Sequence, residues 1–72
     1  MKKIQIHTEY ITLGQFLKLS DCIQTGGHAK AFLQETPVHV NGEPDQRRGR
    51  KLYPGDVVSI KGHGQFQIDT DG

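Results

Sequence analysis

Apolar and polar residues alternate from Lys3 to His7 through Ile4 and Ile6, the period of a half-buried strand. Placed at the start of the chain, such a strand is expected at the edge of a sheet or closing it. From Leu13 the period changes. Leu13, Phe16 and Leu17 recur at i, i+3 and i+4, Thr12 precedes them, and Gln15 follows Thr12 by three, as a capping box requires. This predicts a short helix from about Leu13 to Leu19. A turn between Ser20 and Gly27 leads to Thr25, placed to cap a second helix whose stripe is Ala29, Phe32 and Leu33. Pro37 ends that helix, because the residue before a proline avoids helical angles. Each helix is too short to persist alone, so mutual packing must hold them.

Beyond Pro37 the alternation of strands returns. Val38-His39-Val40 runs into Asn41-Gly42, the dipeptide that most favours the primed turns of a hairpin. The return strand from Glu43 is interrupted early by Pro44. Tyr53-Pro54-Gly55-Asp56 places Pro and Gly at the central positions of a type II turn. Val57 to Ile60 reads as a strand, Lys61-Gly62-His63-Gly64 as a turn, and Gln65 to Ile68 as a last strand.

Seventy-two residues, 33% of them hydrophobic, bound this pattern to one domain with a thin core, spanning 1–72. A domain of this size without staples is near the lower limit of independent stability, so a partner would stabilise it. The lone Cys22 excludes an internal disulfide, fits a reducing compartment, and reads as a small core residue. The polar residues Gln5, His7, Thr8 and Glu9 break the apolar run that an export signal needs, and no membrane-length apolar run occurs. A cytoplasmic location is expected.

Net charge is +1, yet Arg47, Arg48, Arg50 and Lys51 fall within five consecutive residues, while acidic residues are dispersed, with Asp69 and Asp71 in the tail. Cations so crowded gain most when a polyanion displaces the small ions around it, and arginine suits bidentate phosphate contacts. Such a loop can also be merely solubilising. Thr25-Gly26-Gly27-His28-Ala29-Lys30 is a second candidate, since two glycines at a helix start leave backbone N–H groups accessible to phosphate. Its spacing is not that of a P-loop. Lys18, on the polar side of the first helix, is placed to face the same way. His7, His28, His39 and His63 lack ligand spacing, and one cysteine supplies no zinc set, so neither metal nor cofactor is expected. Asp21, Glu35, Glu43 and Asp45 form no evident acid and base pair, and no nucleophile motif occurs, so no catalysis is expected. Phe16, Phe32 and Phe66 look committed to the core, which leaves Tyr10 and Tyr53 as platforms for bases.

A helix pair, a Val-x-Val-Asn-Gly hairpin, a basic loop and Pro-Gly-Asp-Val-Val follow in order. That order resembles the RNA-binding domain named for small-subunit ribosomal protein S-four, the alpha-L motif. The match runs over about 11–60, through Leu13, Phe16, Leu17, Thr25, Ala29, Lys30, Val38 to Gly42, Leu52, and Gly55 to Ile60. Thr-Leu-Gly-Gln-Phe-Leu-Lys-Leu and Arg-Arg-Gly-Arg-Lys-Leu are further similar to the small stand-alone bacterial YaaA-like and YbcJ-like proteins. The resemblance implies an α+β fold: two short N-terminal helices packed on a small, mainly antiparallel curved sheet, with an N-terminal strand pairing near the C-terminal strand. It also implies binding of structured RNA, with ribosomal RNA and a ribosomal subunit as expected partners and no reaction implied; separately, a monomer is expected.

Carried over by position, the RNA face comprises Lys18, Thr25, His28, Lys30, Arg47, Arg48, Arg50 and Lys51. Many members place an arginine directly after the helix-two Ser or Thr, where this chain has Gly26, which puts more weight on the loop arginines. Two other readings fit parts of the pattern. One is a module docking an acidic replication or repair partner. The other is a ubiquitin-like sulfur carrier, disfavoured by the Asp71-Gly72 end and by two helices before the hairpin.

Overall fold

The computed structural model describes residues 1–70, so Asp71 and the C-terminal end to which the carrier reading refers lie outside the described residues. Strand β1 (Lys2–Ile6) leads to a two-residue strand β2 (Ile11–Thr12) and directly into helix α1 (Leu13–Leu19). The capping box forms as the spacing predicts. Gln15 N–H donates to Thr12 Oγ1 at 3.2 Å, and Thr12 N–H donates to Gln15 Oε1 at 2.9 Å, which satisfies two amides at the chain's entry into the helix. Leu13, Phe16 and Leu17 are all buried.

The start of the second helix differs from expectation. Thr25 makes no side-chain capping bond; a 3-10 turn (Gly26–His28) intervenes, and helix α2 runs Ala29–Glu35. Two glycines in succession disfavour an α-helical first turn, so the tighter turn carries the chain in. Ala29 and Leu33 are buried, whereas Phe32 is half-buried against the side of the core. Cys22 likewise stays at the rim rather than inside: it sits in the loop after α1, where Ser20 Oγ donates to its Sγ at 3.2 Å.

Strands β3 (Val38–Val40) and β4 (Glu43–Pro44) form the hairpin, with Val40 opposite Glu43 across Asn41-Gly42. Both turn residues have positive φ, 52° and 85°, as a type I′ turn demands. Strand β5 (Lys51–Leu52) pairs with β2, a two-stranded sheet too short for any periodicity to predict. The Pro-Gly turn is type II: Gly55 has φ 97°, and Asp56 N–H reaches Tyr53 C=O at 3.0 Å. Strands β6 (Val57–Ile60) and β7 (Gly64–Thr70) complete a five-stranded sheet of order β1-β7-β6-β3-β4. Its pairs are antiparallel except β1 with β7, so the N-terminal strand is an edge and joins the C-terminal strand in parallel.

Alternation assigns one face of this sheet to the core. Val38, Val40, Val58, Ile60, Phe66 and Ile68 are buried with α1 and α2, and Phe16 meets Phe66 edge to face at 5.5 Å. His39, Ser59 and Gln65, in register across β3, β6 and β7, lie on the other face. No helix of the described residues is long and apolar enough to cross a membrane.

Candidate nucleic-acid interface

The basic loop is held by its backbone to the beginning of α1. Leu13 N–H donates to Arg50 C=O and Gly14 N–H to Arg48 C=O, both at 2.8 Å. With Gln15 served by Thr12, three amides of the first turn are satisfied, two of them by the loop. Gly14 makes the approach possible: a Cβ there would stand 3.3 Å from the Arg48 carbonyl oxygen and 3.5 Å from Arg48 Cβ. The segment after the hairpin therefore lies against the helix pair.

The four cations of that segment have three different surroundings. Asp45 causes the first division. Its side chain is 4% exposed, and its Oδ2 accepts from Arg47 Nη2 at 2.9 Å and Arg50 Nη1 at 2.8 Å. Oδ1 accepts from Arg47 Nε at 3.1 Å and from the Arg47 amide at 2.8 Å. The hydrogen bond from the Arg47 guanidinium, aided by its backbone amide and by Arg50, holds the Asp45 carboxyl well below the usual carboxylate range against the opposing effect of burial. The crowding of cations read from the sequence is thus relieved in part: a carboxylate sits among them. Arg50 is 27% exposed and serves that carboxylate, whereas Arg47 is 72% exposed and keeps three of its five N–H donors pointing away from Asp45. Both line a cleft with Glu35, Glu43 and Pro44, beside the end of α2.

Arg48 is turned the other way. It is exposed, and with Gly49 it lines a groove whose other walls are Thr12, Gly14, Gln15 and Lys18 of α1 with its cap, and Gly26 and Ala29 at the second helix. Lys18, Arg48 and the start of helix two thus converge, and among the described residues neither Lys18 nor Arg48 forms an ion pair. Thr25, His28 and Lys30 are exposed on the 3-10 turn and the first turn of α2, next to that groove in sequence. Lys51 belongs to β5 and places its Nζ 4.9 Å from the Tyr10 ring centroid.

Neither Gly26 nor Gly49 is required by a close contact or a left-handed backbone. Gly26 and Gly49 lack positive φ, and a Cβ on either would meet nothing within 4 Å. Their open space faces outward beside two cations. Asp45 is the residue that sequence reasoning missed. An aspartate after the hairpin with arginines two and five positions later was the available signal, since Asp accepts from the amide two residues on in an Asx-turn.

Among known families, the model of the S4 domain matches residues 4–69, nearly the whole chain. The chain belongs to the S4 domain family. The family is one of RNA-binding domains, and membership leaves the ubiquitin-like reading without support. A bacterial relative, named "Probable ribosome maturation protein RlbA" in Bacillus subtilis (strain 168), is 69% identical over 65 residues, which cover 90% of this chain and 92% of that protein. The S4 domain of this chain brings exposed Lys18 and Arg48 together between α1, the start of the second helix and the loop held against it.

Proposed function

We propose that this chain is a non-catalytic protein that grips structured RNA, with ribosomal RNA as its target, and acts during ribosome maturation. The observation that carries the proposal is the groove in which Lys18 and Arg48 meet beside Gly26 and Gly49. Two cations without an ion pair among the described residues, both lining the groove, suit a phosphate backbone, whose binding releases condensed counterions. Glycines with open space where a side chain would stand leave room for that backbone to approach closely. Lys30, Arg47 and His28 extend the positive rim, Thr25 adds a hydroxyl, and Arg50 and Lys51 act chiefly in support. The name of the Bacillus relative favours ribosome maturation as the setting.

Recognition in this reading is by shape and backbone, in keeping with the way proteins meet folded RNA. The test is sedimentation of cell extract through a gradient at low and high salt. The protein should travel with a ribosomal particle or its precursor at low salt and leave it at high salt. If it remains with free protein at low salt while staying folded, the proposal fails.

A further inference from the structure

The miniature β2–β5 sheet has an outer face with chemistry of its own. Ile11 opposes Leu52 and Thr12 opposes Lys51, so the antiparallel register brings the flanking Tyr10 and Tyr53 together. Ile11 and Leu52 are buried, which leaves the alternate positions outside. The two tyrosine rings lie 5.7 Å apart, tilted by 45°, and are 37% and 43% exposed. Lys51, diagonal to Tyr10 across the pair, holds its ammonium over that ring. Phe16 and Phe66 are buried and Phe32 is half-buried, so these tyrosines are the exposed aromatic rings of the described residues.

A depression lined by Thr8, Glu9, Tyr10, Ile11, Thr12 and Gln15 adjoins the pair. Thr12 and Gln15 also wall the groove that contains Lys18 and Arg48, so the two hollows share a boundary at the start of α1. A strand followed out of the groove across that boundary meets the tyrosines next. Glu9 disfavours a phosphate in the depression, which leaves a neutral aromatic group as the moiety that fits, with Lys51 near its attached phosphate.

We infer that Tyr10 and Tyr53 form a stacking site for one unpaired nucleobase of the RNA whose folded part occupies the Lys18–Arg48 groove. The inference rests on the proposed function and adds to it a preference for RNA with an unpaired nucleotide beside the helix. Splayed bases stack on aromatic side chains with little regard to sequence, because every base has a π-face.

The chain has two tyrosines and no tryptophan, so its intrinsic fluorescence reports on this site alone. The probes are a blunt ribosomal RNA hairpin and the same hairpin with an unpaired four-nucleotide extension, titrated into the full chain. The extended hairpin should quench the tyrosine emission and bind about tenfold more tightly than the blunt one. Tyr10→Leu and Tyr53→Leu should each erode that preference while leaving the affinity for the blunt hairpin and its salt dependence unchanged. Tyr10→Phe should retain the preference, since stacking needs the ring and not the hydroxyl. Equal affinity for the two hairpins without quenching, or a preference that survives both leucine variants, overturns the stacking site alone. Failure of the folded wild-type chain to bind even the blunt hairpin at low salt overturns the RNA reading, and the stacking site with it.

Discussion

The Oδ2 atom of Asp45 accepts a hydrogen bond from Arg50 Nη1 at 2.8 Å, and the same oxygen accepts one from Arg47 Nη2 at 2.9 Å. One carboxylate thereby fixes the loop's shape, and the loop carbonyls in turn cap α1. Asp45, outside the Lys18–Arg48 groove, thus shapes the loop that carries Arg48.

Replacing that carboxylate should loosen the loop. Asp45→Ala leaves the largely covered Arg50 guanidinium without its partner and removes the acceptor of the Arg47 amide, at a cost of about 1–3 kcal/mol. The expected result is a lower urea midpoint together with altered amide shifts for residues 46–51. An unchanged midpoint would show that the pair contributes nothing to the fold.

The same residue predicts a dependence on pH. In the folded chain its carboxyl titrates far below the ordinary value of 3.8 that the unfolded chain retains. Such a group stabilises fully above its unfolded value, and its contribution is lost as pH falls towards the folded value. The stability difference between wild type and Asp45→Asn should therefore be constant from pH 7 to about 5 and narrow below about 4. Urea unfolding at stepped pH measures it, and a difference that widens on acidification would contradict the assignment.

The strand and turn grammar was legible in the residues themselves because its causes are local. Thr12 and Gln15 cap each other three positions apart, Asn41-Gly42 adopts positive φ at both positions, and Pro54-Gly55 favours its turn by its own backbone preferences. Leu13, Phe16 and Leu17 announce a helix by spacing and are buried for the same reason. The directions of the arginines were not legible, since composition counts Arg47, Arg48 and Arg50 alike while Asp45 binds the first and last and Arg48 has no ion pair among the described residues. The β2–β5 pair escaped because two-residue strands have no period, and with it went the meeting of Tyr10 and Tyr53. The role of Gly14 depends on a loop more than 30 residues away, by the numbering of Arg48.

Asn41 tests the hairpin. Its Oδ1 accepts from Val57 N–H at 2.9 Å, its Nδ2 donates to Asp56 Oδ1 at 3.1 Å, and its φ of 52° suits Asn and Gly but few others. Asn41→Ala should cost about 1–2 kcal/mol, and Asn41→Gly less, since glycine keeps the backbone and loses only the side-chain bonds. Denaturant midpoints for the two variants measure this. Equal losses would mean that backbone strain plays no part.

The two groove glycines predict opposite effects on folding and binding. Gly26→Ala and Gly49→Ala restrict the unfolded chain at positions with ordinary φ and open space, so each should stabilise by about 0.4–1 kcal/mol. Each should also weaken RNA binding, because the added methyl occupies the groove. Thermal unfolding and an RNA titration of the same samples decide it; unchanged affinity in both variants would assign these glycines to chain flexibility alone.

The most direct test is the salt dependence of affinity for a structured ribosomal RNA fragment, measured for wild type and for the Lys18→Ala, Arg48→Ala double variant. Four phosphate contacts give a wild-type slope of log affinity against log salt of about −3, and the double variant should bind more weakly, with a slope shallower by about 0.75 for each lost contact, about 1.5 in all. A folded double variant that keeps both the affinity and the slope of the wild type would contradict the account.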